Sequence, residues 1–107
     1  MLIIYTGGTL GMEMINGKLT VGANSLGNKL VRVKAFCDNE YSFFHNRYHN
    51  DEKDGARWMI SPEISGKRLW YKVHNLKRLV DSSDTDTIFY HDLADAIEEF
   101  YDQYDAF

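Results

Sequence analysis

Cysteine, glycosylation signals and long apolar runs are scarce or missing in this sequence. Its 107 residues include one cysteine, Cys37, and no Asn-x-Ser/Thr triplet. A single cysteine cannot form an internal disulfide, and both features fit the reducing cytosol better than a secreted protein. The apolar run at residues 2–5 is far too short for a signal sequence or a membrane span. We therefore expect a cytoplasmic protein.

The sequence also lacks any long run of like charges. It carries 12 basic and 16 acidic residues, for a formal net charge of −4 at pH 7. Such a balance does not favour nucleic acid or an anionic membrane as the partner. We expect a small molecule or another protein instead.

The first half of the chain predicts a strand, a hairpin and a helix within one small domain. With 44% hydrophobic and 14% aromatic residues, the chain can form a core. Residues 2–5, "LIIY", predict a strand buried on both faces, and Asn16-Gly17 within residues 12–21 predicts a two-stranded hairpin flap. Leu26, Leu30 and Val33 predict a short helix that follows Asn24 or Ser25 and ends near Lys34. Residues 38–66 show no sustained period and predict a long, partly ordered surface connection.

The second half predicts a strand and a helix on either side of a polar loop. In "KRLWYKVHNL", Leu69, Tyr71 and Val73 are predicted to point one way and Trp70, Lys72 and His74 the other, which indicates a strand that ends near Leu79. Residues 81–86, "DSSDTD", are typical of a loop that leads to a helix with Asp86 or Thr87 near its cap. The apolar face of that helix is predicted at helical spacing: Tyr90, Leu93, Ala94, Ile97, Tyr101 and Tyr104. This order predicts an α/β fold with an open parallel-type sheet, flanking helices and an N-terminal β-hairpin flap.

Two polar segments follow predicted strands, at residues 6–9 and 81–84. Ligands of open α/β sheets bind at the carboxyl ends of the strands, so both segments are candidates for one pocket. "TGGT" fits neither the dinucleotide fingerprint, because Thr6 stands where its first glycine belongs, nor the P-loop. Its glycines predict a sharp turn that presents a threonine hydroxyl, which is a nucleophile once a base removes its proton.

These segments resemble the L-asparaginase family, particularly its cytoplasmic branch. "IYTGGTLGM" is similar to the family's N-terminal signature, and "LVDSSD", with a helix ending in "YDQYDAF", is similar to its second signature. The resemblance implies that Thr9 is the nucleophile and that Asp81, Ser82 and Ser83 hold the α-amino and α-carboxylate groups of L-asparagine. It also implies that the hairpin is a mobile lid and that no metal or organic cofactor is needed.

The resemblance further implies that residues 1–107 are the first part of the N-terminal asparaginase domain, without the C-terminal domain. Full-length members form homo-oligomers, and we expect this chain alone to be inactive. Lys18 follows Gly17 in the hairpin, where many members carry a lid tyrosine, so the base that activates Thr9 is not assigned. Two alternatives stay open: an ammonia-generating, asparaginase-like subunit of a tRNA amidotransferase, and a non-catalytic remnant that binds an amino acid.

Overall fold

The computed structural model describes residues 1–22, 25–45, 58–79 and 86–107. These residues form a mixed α/β structure with a small sheet, a separate hairpin and three helices. The strands are β1 Leu2–Tyr5, β2 Glu13–Ile15, β3 Lys18–Thr20, β4 Met59–Ile60 and β5 Trp70–Asn75. The helices are α1 Ser25–Arg32, α2 Asn39–His45 and α3 Thr87–Phe100. No helix among these residues is both long and apolar enough to cross a membrane.

The sheet has the strand order β1-β5-β4, and β1 pairs in parallel with the central strand, β5. Leu2 lies opposite Lys72, and Tyr5 lies opposite Asn75, so the carboxyl ends of β1 and β5 meet at one edge. The two predicted strands are therefore neighbours. Strand β4, however, pairs antiparallel with β5. The α/β class is as predicted, whereas the described strands form a mixed sheet and do not confirm an open parallel one.

Two apolar clusters cover the sheet. One joins α1 to it through Leu26, with Tyr5, Tyr71 and Val73 among the buried members. Burial raises the pKa of Tyr71 to about 12, and its hydroxyl donates to the Phe36 carbonyl at 2.6 Å. The other cluster joins α3 to the chain that follows β5, and its buried residues are Leu76, Phe89 and Ala96.

The alternation predicted for the second strand is confirmed within β5, but Leu69 precedes the strand and is 44% exposed, and the strand is shorter than predicted. Tyr71 and Val73 are buried, while Trp70, Lys72 and His74 are only half-buried. The strand ends at Asn75 and not near Leu79. One further backbone hydrogen bond to β1, from Leu76 N–H to the Tyr5 carbonyl at 3.0 Å, follows the last residue of the strand.

The surface connection predicted for residues 38–66 is wrong at helix α2 and strand β4, whereas residues 61–66 form no helix or strand and are exposed from Glu63 onward. Helix α2 and strand β4 both lie within that range, and residues 46–57 lie outside the described residues. The sequence of helix α2 shows no apolar period. In the structure its two phenylalanines, Phe43 and Phe44, face solvent, and its buried residue is Ser42. Strand β4 has two residues, too few to show alternation.

Helix α3 begins as predicted, but its buried face coincides only in part with the predicted one, since Leu93 packs against the buried cluster. Its N-cap is Asp86, whose carboxylate accepts from Phe89 N–H at 2.8 Å. Tyr90 and Tyr101, predicted in the apolar stripe, are 60% and 69% exposed. Phe89 and Ala96 are buried instead. The packed face is thus rotated from the predicted stripe, and Tyr90 and Tyr101 lie on its exposed side.

Candidate active site

The candidate active site begins with the residues that follow β1. Gly7 has φ 128° and Gly8 has φ 91°, and both values lie where residues with a side chain are rarely found. A Cβ added at Gly8 would meet nothing within 4 Å, so backbone conformation and not space requires glycine there. The two glycines let the chain leave β1 in a sharp turn. At the end of that turn stands Thr9, the first residue of a single turn of 3-10 helix, Thr9–Gly11.

The Thr9 side chain faces solvent, while the Thr9 backbone is hydrogen-bonded. The Thr9 carbonyl accepts from Met12 N–H at 3.1 Å. The side chain is exposed, and no hydrogen bond of its hydroxyl occurs among the described residues. The structure thus places the predicted nucleophile in an accessible position at the end of β1, whereas its role as nucleophile stays a prediction. A base that would activate it is not identified within residues 1–22, 25–45, 58–79 and 86–107.

Tyr5, the last residue of β1, packs beneath this turn. Its ring is buried, and its hydroxyl donates to the Gly8 carbonyl. A Cβ added at Gly11 would lie 2.3 Å from Tyr5 Cζ, much closer than atoms can pack. Gly11 is therefore needed because of the Tyr5 ring, and the ring in turn supports the chain on both sides of Thr9. Neither contact is indicated by the sequence pattern.

Lys29 in α1 also contacts this turn, and the sequence pattern does not indicate this contact. Its ammonium donates to the Leu10 carbonyl at 3.0 Å and to the Met12 carbonyl. The only sequence signal was its place on the polar face of an amphipathic helix, which does not specify a partner. Both acceptors follow Thr9 closely in the chain.

The predicted hairpin is confirmed, and it starts immediately after the turn. Strands β2 and β3 pair antiparallel, and the connecting Asn16 and Gly17 have φ 52° and 76°, as a tight hairpin turn with two positive φ values requires. Met14 and Leu19 lie opposite each other and are 69% and 53% exposed. The movement of the hairpin as a lid stays a prediction.

The second predicted segment, Asp81, Ser82 and Ser83, lies outside the described residues. The chain on either side of it is described. Arg78 and Asp86 form an ion pair at 2.7 Å, and β5 ends beside the end of β1. The structure therefore brings the end of the strand that precedes this segment next to the Thr9 loop, and it does not show the three side chains.

The ion pair of Asp86 gives a pH prediction. The Arg78 guanidinium first, and then the Phe89 N–H, hold the pKa of Asp86 below its ordinary value of 3.8. A depressed folded-state pKa stabilises the fold fully above the unfolded value and less as the pH falls through the folded value. We expect Asp86→Ala, which removes both cap and ion pair, to lower Tm at pH 7 by roughly 4–8 °C.

The matched variant is Asp86→Asn, which retains a capping oxygen without the charge. Its Tm should lie between those of the wild type and Asp86→Ala, and its difference from the wild type should shrink below about pH 4. Thermal unfolding followed by circular dichroism between pH 2 and pH 7 measures both effects. Equal Tm values for all three proteins at pH 7 would contradict the prediction.

Among the described residues, no group of three or more His, Cys, Asp or Glu side chains is arranged to hold a metal ion. Cys37 is a buried free thiol.

Comparison with known proteins indicates distant homology to asparaginase-type hydrolases. The chain is 30% identical over 106 residues to the L-asparaginase of Dirofilaria immitis, which covers 99% of this chain and 18% of that protein. It is 34% identical over 107 residues to the 60 kDa lysophospholipase of Mus musculus and 33% identical over the same length to that of Homo sapiens. In all three cases the chain spans only 18% of the relative's length. No family model matches the chain.

Proposed function

We propose that this chain is the first part of the N-terminal domain of an L-asparaginase, with an open parallel-type sheet, and that the full-length protein hydrolyses L-asparagine to L-aspartate and ammonia. One observation carries the proposal. Thr9 is exposed after two positive-φ glycines, at the end of a strand that pairs in parallel with the strand preceding Asp81. Distant homology to an L-asparaginase over nearly the whole chain supports it.

In this proposal Thr9 acts as the nucleophile. A base takes the hydroxyl proton, Thr9 Oγ1 forms a bond to the side-chain amide carbon of asparagine, and the C–N bond breaks. The leaving nitrogen receives a proton and departs as ammonia. Water then attacks the acyl-enzyme ester, which restores the hydroxyl and releases aspartate. The base belongs to a part of the protein outside the described residues.

Asp81, Ser82 and Ser83 hold the substrate in this proposal. A carboxylate suits the α-ammonium group, while hydroxyls and backbone N–H groups suit the α-carboxylate. The hairpin closes over the bound amino acid and excludes water. No metal or organic cofactor takes part in the reaction proposed here. We further propose a cytoplasmic location and a homo-oligomeric full-length protein.

A lysophospholipase activity is the second candidate, because two relatives carry that name. An ester carbonyl undergoes the same attack by a hydroxyl as an amide carbonyl does. Leu10, next to Thr9, is 70% exposed, and Met14 and Leu19 are exposed on the adjoining hairpin. This apolar surface would suit an acyl chain better than it suits asparagine.

The test is to give the purified full-length protein three substrates in parallel: L-asparagine, L-glutamine and lysophosphatidylcholine. The proposal predicts ammonia release from L-asparagine, measured by a coupled dehydrogenase assay, and no fatty-acid release. Fatty acid without ammonia would instead establish the second candidate. Ammonia release only in the presence of a partner subunit and tRNA would favour the amidotransferase alternative. Binding of asparagine without turnover would favour the non-catalytic one.

A further inference from the structure

Lys29 is the one described cation that reaches the Thr9 turn. Its Nζ donates to the carbonyl of Leu10, one residue after Thr9, and to that of Met12, three residues after it. The side chain is half-buried, and it crosses from α1 to a segment 17 to 19 residues earlier in the chain. Both acceptors are backbone carbonyl oxygens, so the contact constrains the backbone conformation of the turn and not a particular side chain.

The turn that Lys29 contacts is a single short element, the 3-10 segment Thr9–Gly11, and Met12 N–H donates to the Thr9 carbonyl at its end. Such short segments have poor hydrogen-bond geometry and little intrinsic stability. Hydrogen bonds from an ammonium are roughly twice as strong as those between neutral groups. Lys29 therefore adds two charge-assisted hydrogen bonds to a short turn whose own backbone bonds join neutral groups.

The ammonium has no competing carboxylate partner in the described part of the chain. The ion pairs there are Arg68 with Asp38 and Arg78 with Asp86, and neither includes Lys29. A lysine on a helix surface normally extends into water, and holding it in one rotamer costs side-chain entropy. In this structure the two turn carbonyls are the described partners that offset that cost.

Met12 also connects the turn to the hairpin. It immediately precedes β2, and it donates to Thr9 through its N–H while it accepts from Lys29 through its carbonyl. One side chain of α1 thus contacts both the turn that carries Thr9 and the first residue of the hairpin's base. A substitution at Lys29 would therefore affect both the turn and the start of the hairpin.

We propose that Lys29 is a positioning residue. Its ammonium fixes the backbone of residues 10–12 and so holds the Thr9 hydroxyl in the orientation needed for attack. This inference rests on the proposed role of Thr9. Lys29 does not touch the reacting atoms in this proposal, and its effect passes through the turn.

The experiment compares the full-length wild type with Lys29→Met, Lys29→Arg and the control Lys34→Met. The control removes the same charge from an exposed lysine just beyond α1. Two readouts are taken: kcat and KM for L-asparagine, and hydrogen exchange at the Met12 amide. We expect Lys29→Met to lower kcat about 10- to 100-fold with less than about a threefold change in KM. Exchange at the Met12 amide should become about tenfold faster.

Lys29→Arg should recover most of the lost kcat, because a guanidinium can also donate to two carbonyls. A residue needed only for folding would lower Tm and the active fraction without lowering turnover per folded molecule. If Lys29→Met matches Lys34→Met in kcat, or if exchange at Met12 is unchanged, the positioning role is refuted. A wild-type protein that releases no ammonia refutes the proposed function itself, together with the positioning role that depends on it.

Discussion

Replacing Thr9 by valine is expected to lower kcat for asparagine hydrolysis by the full-length protein about a thousandfold or more. Valine keeps the β-branched shape and loses only the hydroxyl, so no acyl-enzyme can form. The fold should not change, because the Thr9 side chain is exposed and its hydroxyl makes no hydrogen bond among the described residues. Ammonia release gives the rate, and thermal unfolding should give a Tm within about 2 °C of the wild type.

The complementary variant is Thr9→Ser, which keeps the hydroxyl and loses the methyl group. It should retain turnover well above that of Thr9→Val, although lower than that of the wild type because its side chain is less restricted. Mass spectrometry of the acid-quenched reaction should detect an acyl adduct on the wild type and on Thr9→Ser. If Thr9→Val turns over asparagine within tenfold of the wild type, another group is the nucleophile.

Replacing Gly11 by alanine is expected to destabilise the chain by about 1–3 kcal/mol. The new Cβ would lie 2.3 Å from Tyr5 Cζ and 2.5 Å from its hydroxyl oxygen. Tyr5 is only 5% exposed, and its hydroxyl is bonded to the Gly8 carbonyl, so the ring cannot move aside without losing packing and that bond. Urea unfolding followed by circular dichroism measures the loss in the free energy of unfolding.

Gly27 provides the matched control for this substitution. It lies within α1, and a Cβ added there meets nothing within 4 Å. Gly27→Ala should stabilise the chain by about 0.5–1 kcal/mol, since alanine restricts the unfolded chain and favours the helix. The same chemical change is thus expected to have opposite signs at two positions. A neutral or stabilising Gly11→Ala would mean that the Tyr5 ring does not constrain this turn.

The hairpin and the start of α3 were predictable because local chemistry decides them. Asn16-Gly17 adopts two positive φ values that few other residue pairs tolerate, and Asp86 caps its own helix three residues away. Helix α2 and strand β4 could not be predicted in this way. Their few buried residues make contacts to other elements, and the residues themselves follow no period that a single sequence displays.

In the candidate site, too, local features could be predicted from the sequence and contacts between distant residues could not. Thr9 could be located because two glycines after an apolar strand mark a turn at a strand end. Tyr5, Gly11 and Lys29 could not be connected with it, because the sequence does not reveal that a ring lies under a glycine or that a helix lysine reaches a distant carbonyl. For Asp81, Ser82 and Ser83 the prediction rests on the sequence alone, since they lie outside the described residues.

The parallel pairing of β1 with β5 has a consequence for how the chain folds. The hydrogen bond from the N-terminal ammonium of Met1 to the Trp70 carbonyl spans 69 residues, whereas the hairpin and α3 form from neighbouring residues. Local elements can form within microseconds, but the β1–β5 ladder must first close this long loop. During synthesis at about 5–20 residues per second, β1 therefore waits several seconds for its partner to be made. Over that interval the apolar segment "LIIY" is expected to be a binding site for chaperones and a starting point for aggregation.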